Sequence, residues 1–173
     1  MDYKNKKCLV AYYSRKGKNY VNGGILDLAI GNTQIAAEMV KKLTNADLFE
    51  IDTIKKYPLD YQETTRIAED ELRCSARPEL TDRISYIGQY EIIFLGYPNW
   101  WGTMPMGVWT FLESYDLDGK IILPFCTHEG SGMGQSERDI RKLCPNADVK
   151  TGIAIRGSQV KSAETDIAYW LNK

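Results

Sequence analysis

Apolar positions in this chain form short unbroken runs that alternate with longer segments of helical spacing. Cys8-Leu9-Val10-Ala11-Tyr12-Tyr13 and Ile92-Ile93-Phe94-Leu95-Gly96-Tyr97 are continuous, as in strands buried on both faces of a parallel sheet. Leu48-Phe49-Glu50-Ile51, Ile121 to Cys126 and Val149 to Ile155 read as three further strands. Between them, Gln34 to Leu43 places Ile35, Met39, Val40 and Leu43 on one side of a helix. Asp60 to Ala76 predicts a second helix, with Asp60 and Glu63 as a capping-box-like start and Pro78 limiting its end. A third is entered through Pro105, and Gln135 to Leu143 is a fourth, ended by Pro145. Val160, Ala163, Ile167, Trp170 and Leu171 mark the apolar stripe of a last helix.

The βαβαβαβαβα order predicts an α/β fold: a doubly wound, five-stranded parallel sheet with helices on both faces, in the order 2-1-3-4-5. Pro124 is in tension with an interior strand, and a bulge or a strand-end placement would relieve it. With no repeat, low-complexity stretch or linker, residues 1–173 read as one domain.

Composition acts mainly by exclusion. The chain is 43% hydrophobic and 26% charged, ordinary for a globular protein and unlike a disordered or fibrous one. Its formal charge is −1, so a grip on nucleic acid is not expected. No apolar run approaches a bilayer span, and Met1 to Lys7 is charged and lacks the apolar core of a signal peptide. A cytoplasmic, membrane-free protein is the expectation. The four cysteines, Cys8, Cys74, Cys126 and Cys144, lack metal-ligand spacing and read as free thiols, and a single histidine makes zinc an unsuitable guess.

In a sheet of this order, ligands bind beyond the carboxyl ends of the strands. The three loops there are unusual. The first opens with Ser14 and Arg15 and closes with Gly31, Asn32 and Thr33 at a helix start, which suits an anion, although Asn32 or Thr33 would equally cap any helix. It matches neither a P-loop nor a GxGxxG fingerprint. The second, Pro98-Asn99-Trp100-Trp101-Gly102, sets two tryptophans in a proline-flanked loop, a platform for a planar ligand. The third, Thr127-His128-Glu129-Gly130-Ser131-Gly132, lets backbone approach the polar edge of a heterocycle. His128 beside Ser131 and Glu129 invites a catalytic reading, but the nucleophile-elbow pattern is absent, and a hydrogen-bonding histidine is the simpler one. A phosphate site, an aromatic clamp and a polar glycine loop together fit a phosphorylated, flat, amphipathic molecule with the shape of FMN.

On Tyr13-Ser14-Arg15 with Gly31-Asn32-Thr33, on Leu95 to Pro105 and on Pro124 to Gly132, the sequence resembles the flavodoxin family, in a branch whose phosphate loop is split. The resemblance covers nearly the whole chain. It implies noncovalent FMN held by Ser14, Arg15, Asn32, Thr33, the 98–102 loop and the 127–132 loop. It also implies one-electron transfer with redox partner proteins, by a monomer or weak dimer. Two departures stand out. Residues 16–30 separate the halves of the phosphate loop, with Tyr20 placed to fold over the cofactor, and the net charge is far less acidic than the family's habit. An NAD(P)H-dependent FMN or quinone reductase of the same fold is the alternative. A receiver-type signalling domain would need acidic residues where this chain has Ser14-Arg15 and Tyr97-Pro98.

Overall fold

The computed structural model describes Tyr3 and residues 5–173; Met1, Asp2 and Lys4 of the charged N-terminal stretch lie outside them. In chain order the elements are β1 (Cys8–Tyr12), β2 (Gly17–Val21), β3 (Gly24–Leu28), α1 (Asn32–Thr44), β4 (Asp47–Glu50), α2 (Tyr61–Arg73), β5 (Ile92–Pro98), α3 (Met106–Glu113), β6 (Ile121–His128), α4 (Ser136–Leu143), β7 (Asp148–Val149), β8 (Ile153–Arg156) and α5 (Glu164–Leu171). The central sheet is parallel and runs β4-β1-β5-β6, with β7 and β8 sharing the edge beyond β6. This is the expected order.

Alternation along the unbroken runs sorts side chains to two cores. Leu9, Ala11, Ile93, Leu95, Tyr97, Ile122 and Cys126 point to one face, where Val108, Phe111 and Leu112 of α3 and Ile140 of α4 cover them. Cys8, Val10, Tyr12, Ile92, Phe94, Leu123 and Phe125 point to the other, under Ala36, Ala37 and Val40 of α1 and Ile167, Trp170 and Leu171 of α5. Each Val, Leu, Ile or Phe side chain buried in this way contributes roughly 1.5–3 kcal/mol. Helix α2 buries only Thr64 and Ala68. Its Asp60 cap accepts a hydrogen bond from the Glu63 amide at 2.8 Å, but the helix ends at Arg73, short of the expected Ala76.

Three expectations need correction. The tension at Pro124 resolves by splitting the fifth strand. β7 pairs with Ile121 and Ile122, β8 pairs with Phe125 to His128, and the edge is unpaired opposite the proline. The last helix is also divided, into a 3-10 segment at Gly157–Ser162 that carries Val160 and then α5. Finally, residues 17–28 are not loop but an antiparallel hairpin, β2 with β3. Asn22 and Gly23 form its reversal, with φ of 47° and 92°. That is the two-residue turn whose twist matches a hairpin, and Asn-Gly is its favoured sequence.

Candidate functional site

The three loops converge on one cavity of about 600 Å³, within the range that holds a cofactor-sized ligand. Arg15, Asn32, Thr33, Pro98, Asn99, Trp100, Trp101, Thr127, His128, Glu129, Gly130 and Ser131 line it; Ser14, Gly102 and Gly132 do not. The cavity also takes Asn19, Tyr20 and Leu28 from the hairpin, Tyr61, Thr64, Thr65 and Ala68 from α2, and Gly157.

At the first loop, Gly31 precedes α1 and offers no side-chain cap. A Cβ there would lie 2.2 Å from Ser14 Oγ and 2.7 Å from the Arg15 carbonyl, so glycine allows the helix to start against the strand end. The Ser14 hydroxyl accepts from the Gln34 amide at 3.0 Å, and the Ile35 amide bonds the Gly31 carbonyl. Among the described residues, the amides of Asn32 and Thr33 have no protein partner. They are the free donors of this helix end, where the helix dipole favours negative charge. Thr33 Oγ1 and Thr127 Oγ1 lie 2.7 Å apart, tying the first loop to the third. Arg15 turns away from this anion position. Its guanidinium donates to the carbonyls of Lys18, Pro58 and Leu59 and to Thr64 Oγ1. Burial lowers its pKa.

The second loop is a tight reversal. Trp100 and Thr103 exchange backbone hydrogen bonds at 2.9 and 3.1 Å, leaving Trp101 and Gly102 at the turn with φ of 53° and 82°. A bulky residue in the left-handed region costs on the order of 1–3 kcal/mol, and such strain concentrates at functional sites. Here it is over-determined. Asn99 accepts from the Gly102 amide and donates to the Gly132 carbonyl, the Gln135 amide bonds the Gly102 carbonyl, and Trp101 Nε1 donates to the Thr65 carbonyl at 2.8 Å. The two tryptophans differ. Trp100 packs edge-on against Tyr13 and Tyr57, with centroids 5.4 and 5.0 Å away. Trp101 stands 50% exposed at the rim.

Both comparisons with known proteins point one way. A family model described as flavodoxin matches residues 7–173, nearly the whole chain. The chain belongs to the flavodoxin family. Among solved structures, a protein from Bacteroides eggerthii DSM 20697 described as a flavoprotein is 31% identical, with a TM-score of 0.78 and 97% of each chain covered. A second, from Bacteroides uniformis ATCC 8492 and likewise described, is 26% identical, with a TM-score of 0.75, covering 98% of this chain and 100% of that one. A flavoprotein from Lactobacillus acidophilus NCFM, solved in complex with FMN, shares the fold at 22% identity and a TM-score of 0.63, covering 91% and 97%. No curated protein matches the chain.

In this flavodoxin-family chain the third loop is a hydrogen-bonding element. His128 Nδ1 accepts from the Gly130 amide at 2.9 Å. Burial and the nearby Arg156 lower its pKa against the opposing pull of Glu129, which favours the neutral ring. Glu129 splits its carboxylate between two amides, Ser158 at 2.7 Å and Asn22 at 3.3 Å. Neither side chain addresses Ser131, so no nucleophile is assembled here. Tyr61 and the rest of the α2 wall were missed from sequence, although Tyr61 follows the Asp60 cap directly. Tyr20 meets Tyr61 at 6.4 Å with ring planes 29° apart.

Proposed function

We propose that this chain holds FMN in the three-loop cavity and carries electrons singly between redox partner proteins. The observation that carries the reading is the convergence on one cavity of two unpartnered amides at the start of α1, the Trp100-Trp101 turn and the 127–131 loop. The donor set fits the cofactor. An anion at α1 takes the Asn32 and Thr33 amides, with the Asn32 side chain beside them. Ser14 supports that position by holding the Gln34 amide, and Arg15 supports it by fixing the loop rather than by meeting the phosphate. Trp101 offers a ring face at the rim, while Trp100 packs into the aromatic cluster with Tyr13 and Tyr57. The backbone of residues 128–131 addresses the polar edge of the heterocycle.

Bound FMN supplies the redox chemistry, and the protein's part is to bind, orient and shield it. Membership of the flavodoxin family supports the cofactor, as do the flavoproteins among the structural relatives, one of them solved with FMN. The carrier role is favoured over a nicotinamide-dependent reductase by the crowding of aromatic rings about the cavity. Hydride transfer requires a second planar ring stacked at reacting distance, ~3–3.5 Å, and Trp101, Tyr20 and Tyr61 already line the available space. The test is steady-state oxidation of NADH and NADPH by the FMN-loaded protein with a quinone acceptor. Negligible turnover is expected. Turnover on the order of 10 per second, typical of enzymes, would overturn the carrier reading in favour of the reductase.

A further inference from the structure

The β2–β3 hairpin lies outside the central sheet and pairs only with itself. A lone two-stranded hairpin is marginally stable in water, so its position depends on whatever ties it down. Three ties are visible. At its base, the Arg15 guanidinium bonds the Lys18 carbonyl on one side and the carbonyls of Pro58 and Leu59 with Thr64 Oγ1 on the other. In its middle, Tyr20 lies against Tyr61 of α2. At its tip, the Asn22 amide donates to Glu129 Oε2 while Glu129 Oε1 accepts from Ser158. Every residue of β3 but Leu28 is exposed, and in β2 only Val21 is buried, so the apolar burial that holds this segment is small.

The hairpin also forms part of the cavity wall, through Asn19, Tyr20 and Leu28. The base tie is the strong one, with several hydrogen bonds to a charged group, some of them shielded from solvent. The tip is held by one long hydrogen bond on an exposed amide, beside the buried side chain of Val21. An element anchored by charge-assisted hydrogen bonds at one end, and at the other by one long hydrogen bond and one small apolar side chain, with a ring facing the cavity between them, has the construction of a strap.

We propose that the hairpin is a strap closed over bound cofactor, with Tyr20 as the ring it lays against the ligand, Arg15 as its hinge anchor and the Glu129–Asn22 contact as its latch. The proposal rests on the FMN reading and adds to it that cofactor enters and leaves by release of the latch. Two consequences separate a latch from an ordinary contact. Loss of a contact speeds release alone, because most affinity changes appear in the dissociation rate. Loss of a latch speeds both entry and release.

The experiment measures FMN association and dissociation by stopped-flow flavin fluorescence on the parent, Glu129→Gln and Tyr20→Ala. In parallel, amide hydrogen exchange is followed in the hairpin of the parent with and without FMN. Glu129→Gln is expected to raise both rates, each by roughly tenfold, the factor that corresponds to one hydrogen bond to a charged group. Tyr20→Ala is expected to raise the dissociation rate about tenfold, as for loss of one stacked ring. The amides of residues 18–26 should exchange more slowly once FMN is bound. Should Glu129→Gln fail to fold, Tyr20→Ala and the exchange of the parent still decide. Hairpin exchange indifferent to FMN, or a Glu129→Gln change confined to dissociation, overturns the strap while leaving the cofactor reading intact. Failure of the parent to bind FMN removes the cofactor reading itself, and the strap with it.

Discussion

The molecule uses one kind of two-residue reversal twice and holds it in opposite ways. At Trp101-Gly102 the turn projects from β5 and is bound from several directions: by the Asn99 side chain, by the Gln135 amide, and by the Thr65 carbonyl on Trp101. At Asn22-Gly23 the turn caps a hairpin that joins no other sheet, and its amide reaches one carboxylate oxygen. The first can bear the strain of a tryptophan at positive φ because its neighbours fix it. The second uses the residues that turn most readily and needs little help. A rigid platform beside FMN and a movable cover, the roles proposed for the two, are different demands, and the number of ties to the rest of the molecule separates them.

The largest effect expected from breaking this contrast is on the rigid side. Trp100→Ala removes a ring packed on Tyr13 and Tyr57, and should lower unfolding stability by about 3 kcal/mol, read from denaturant midpoints. A loss under about 1 kcal/mol would mean that the cluster does not support the turn. Next comes a pair of glycine substitutions. A Cβ at Gly134 would fall 2.2 Å from the Gly102 carbonyl oxygen, whereas one at Gly23 meets nothing within 4 Å. Gly134→Ala should cost about 3 kcal/mol through collision and backbone strain together, and Gly23→Ala about 1 kcal/mol through strain alone. Equal losses would show that the two turns are held alike.

Trp101→Ala sharpens the comparison in a different observable. The ring is half exposed and its Nε1 makes one hydrogen bond to Thr65, so stability should fall by only about 1 kcal/mol, while FMN affinity should fall roughly tenfold by loss of a stacking face. The smallest expected effect is on pH. His128 has its pKa lowered in the fold, so below about 6.5 the unfolded chain takes the proton first, and the stability present above that pH is lost as the solution is acidified. Protonation would also end the hydrogen bond that Nδ1 accepts from Gly130. Thermal scans between pH 7.5 and 5.5 should show a decline that His128→Asn reduces; identical declines would remove His128 as its source.

These residues also show where sequence is informative. The sheet was legible because β1 and β5 are buried on both faces, which writes them as unbroken apolar runs. The loops after β1, β5 and β6 were legible because glycine, proline and paired tryptophans at strand ends have few other uses. The hairpin was not read, although Asn22-Gly23 is the strongest short signal for one. Gly24–Leu28 is exposed but for Leu28, and Gly17–Val21 alternates in burial with Gly and Asn on its inner side, so neither strand shows the apolar alternation in sequence that a core imposes. The resemblance names Arg15 as a cofactor contact at the opening of the split phosphate loop, and Arg15 does line the cavity, but its guanidinium is held by backbone carbonyls. The carbonyls that occupy it come from residues 58 and 59, far along the chain, and no local pattern announces them. Tyr61 and Thr65 belong to the cavity for the same long-range reason.

On the proposed reading, the start of α1 receives the phosphate of FMN. The most direct measurement titrates the apo-protein with FMN and with riboflavin, following flavin fluorescence. Two charge-assisted hydrogen bonds from the Asn32 and Thr33 amides should make FMN bind at one equivalent and on the order of a hundredfold more tightly than riboflavin. Equal affinity for the two would contradict the account, because the helix start would then contribute nothing to binding.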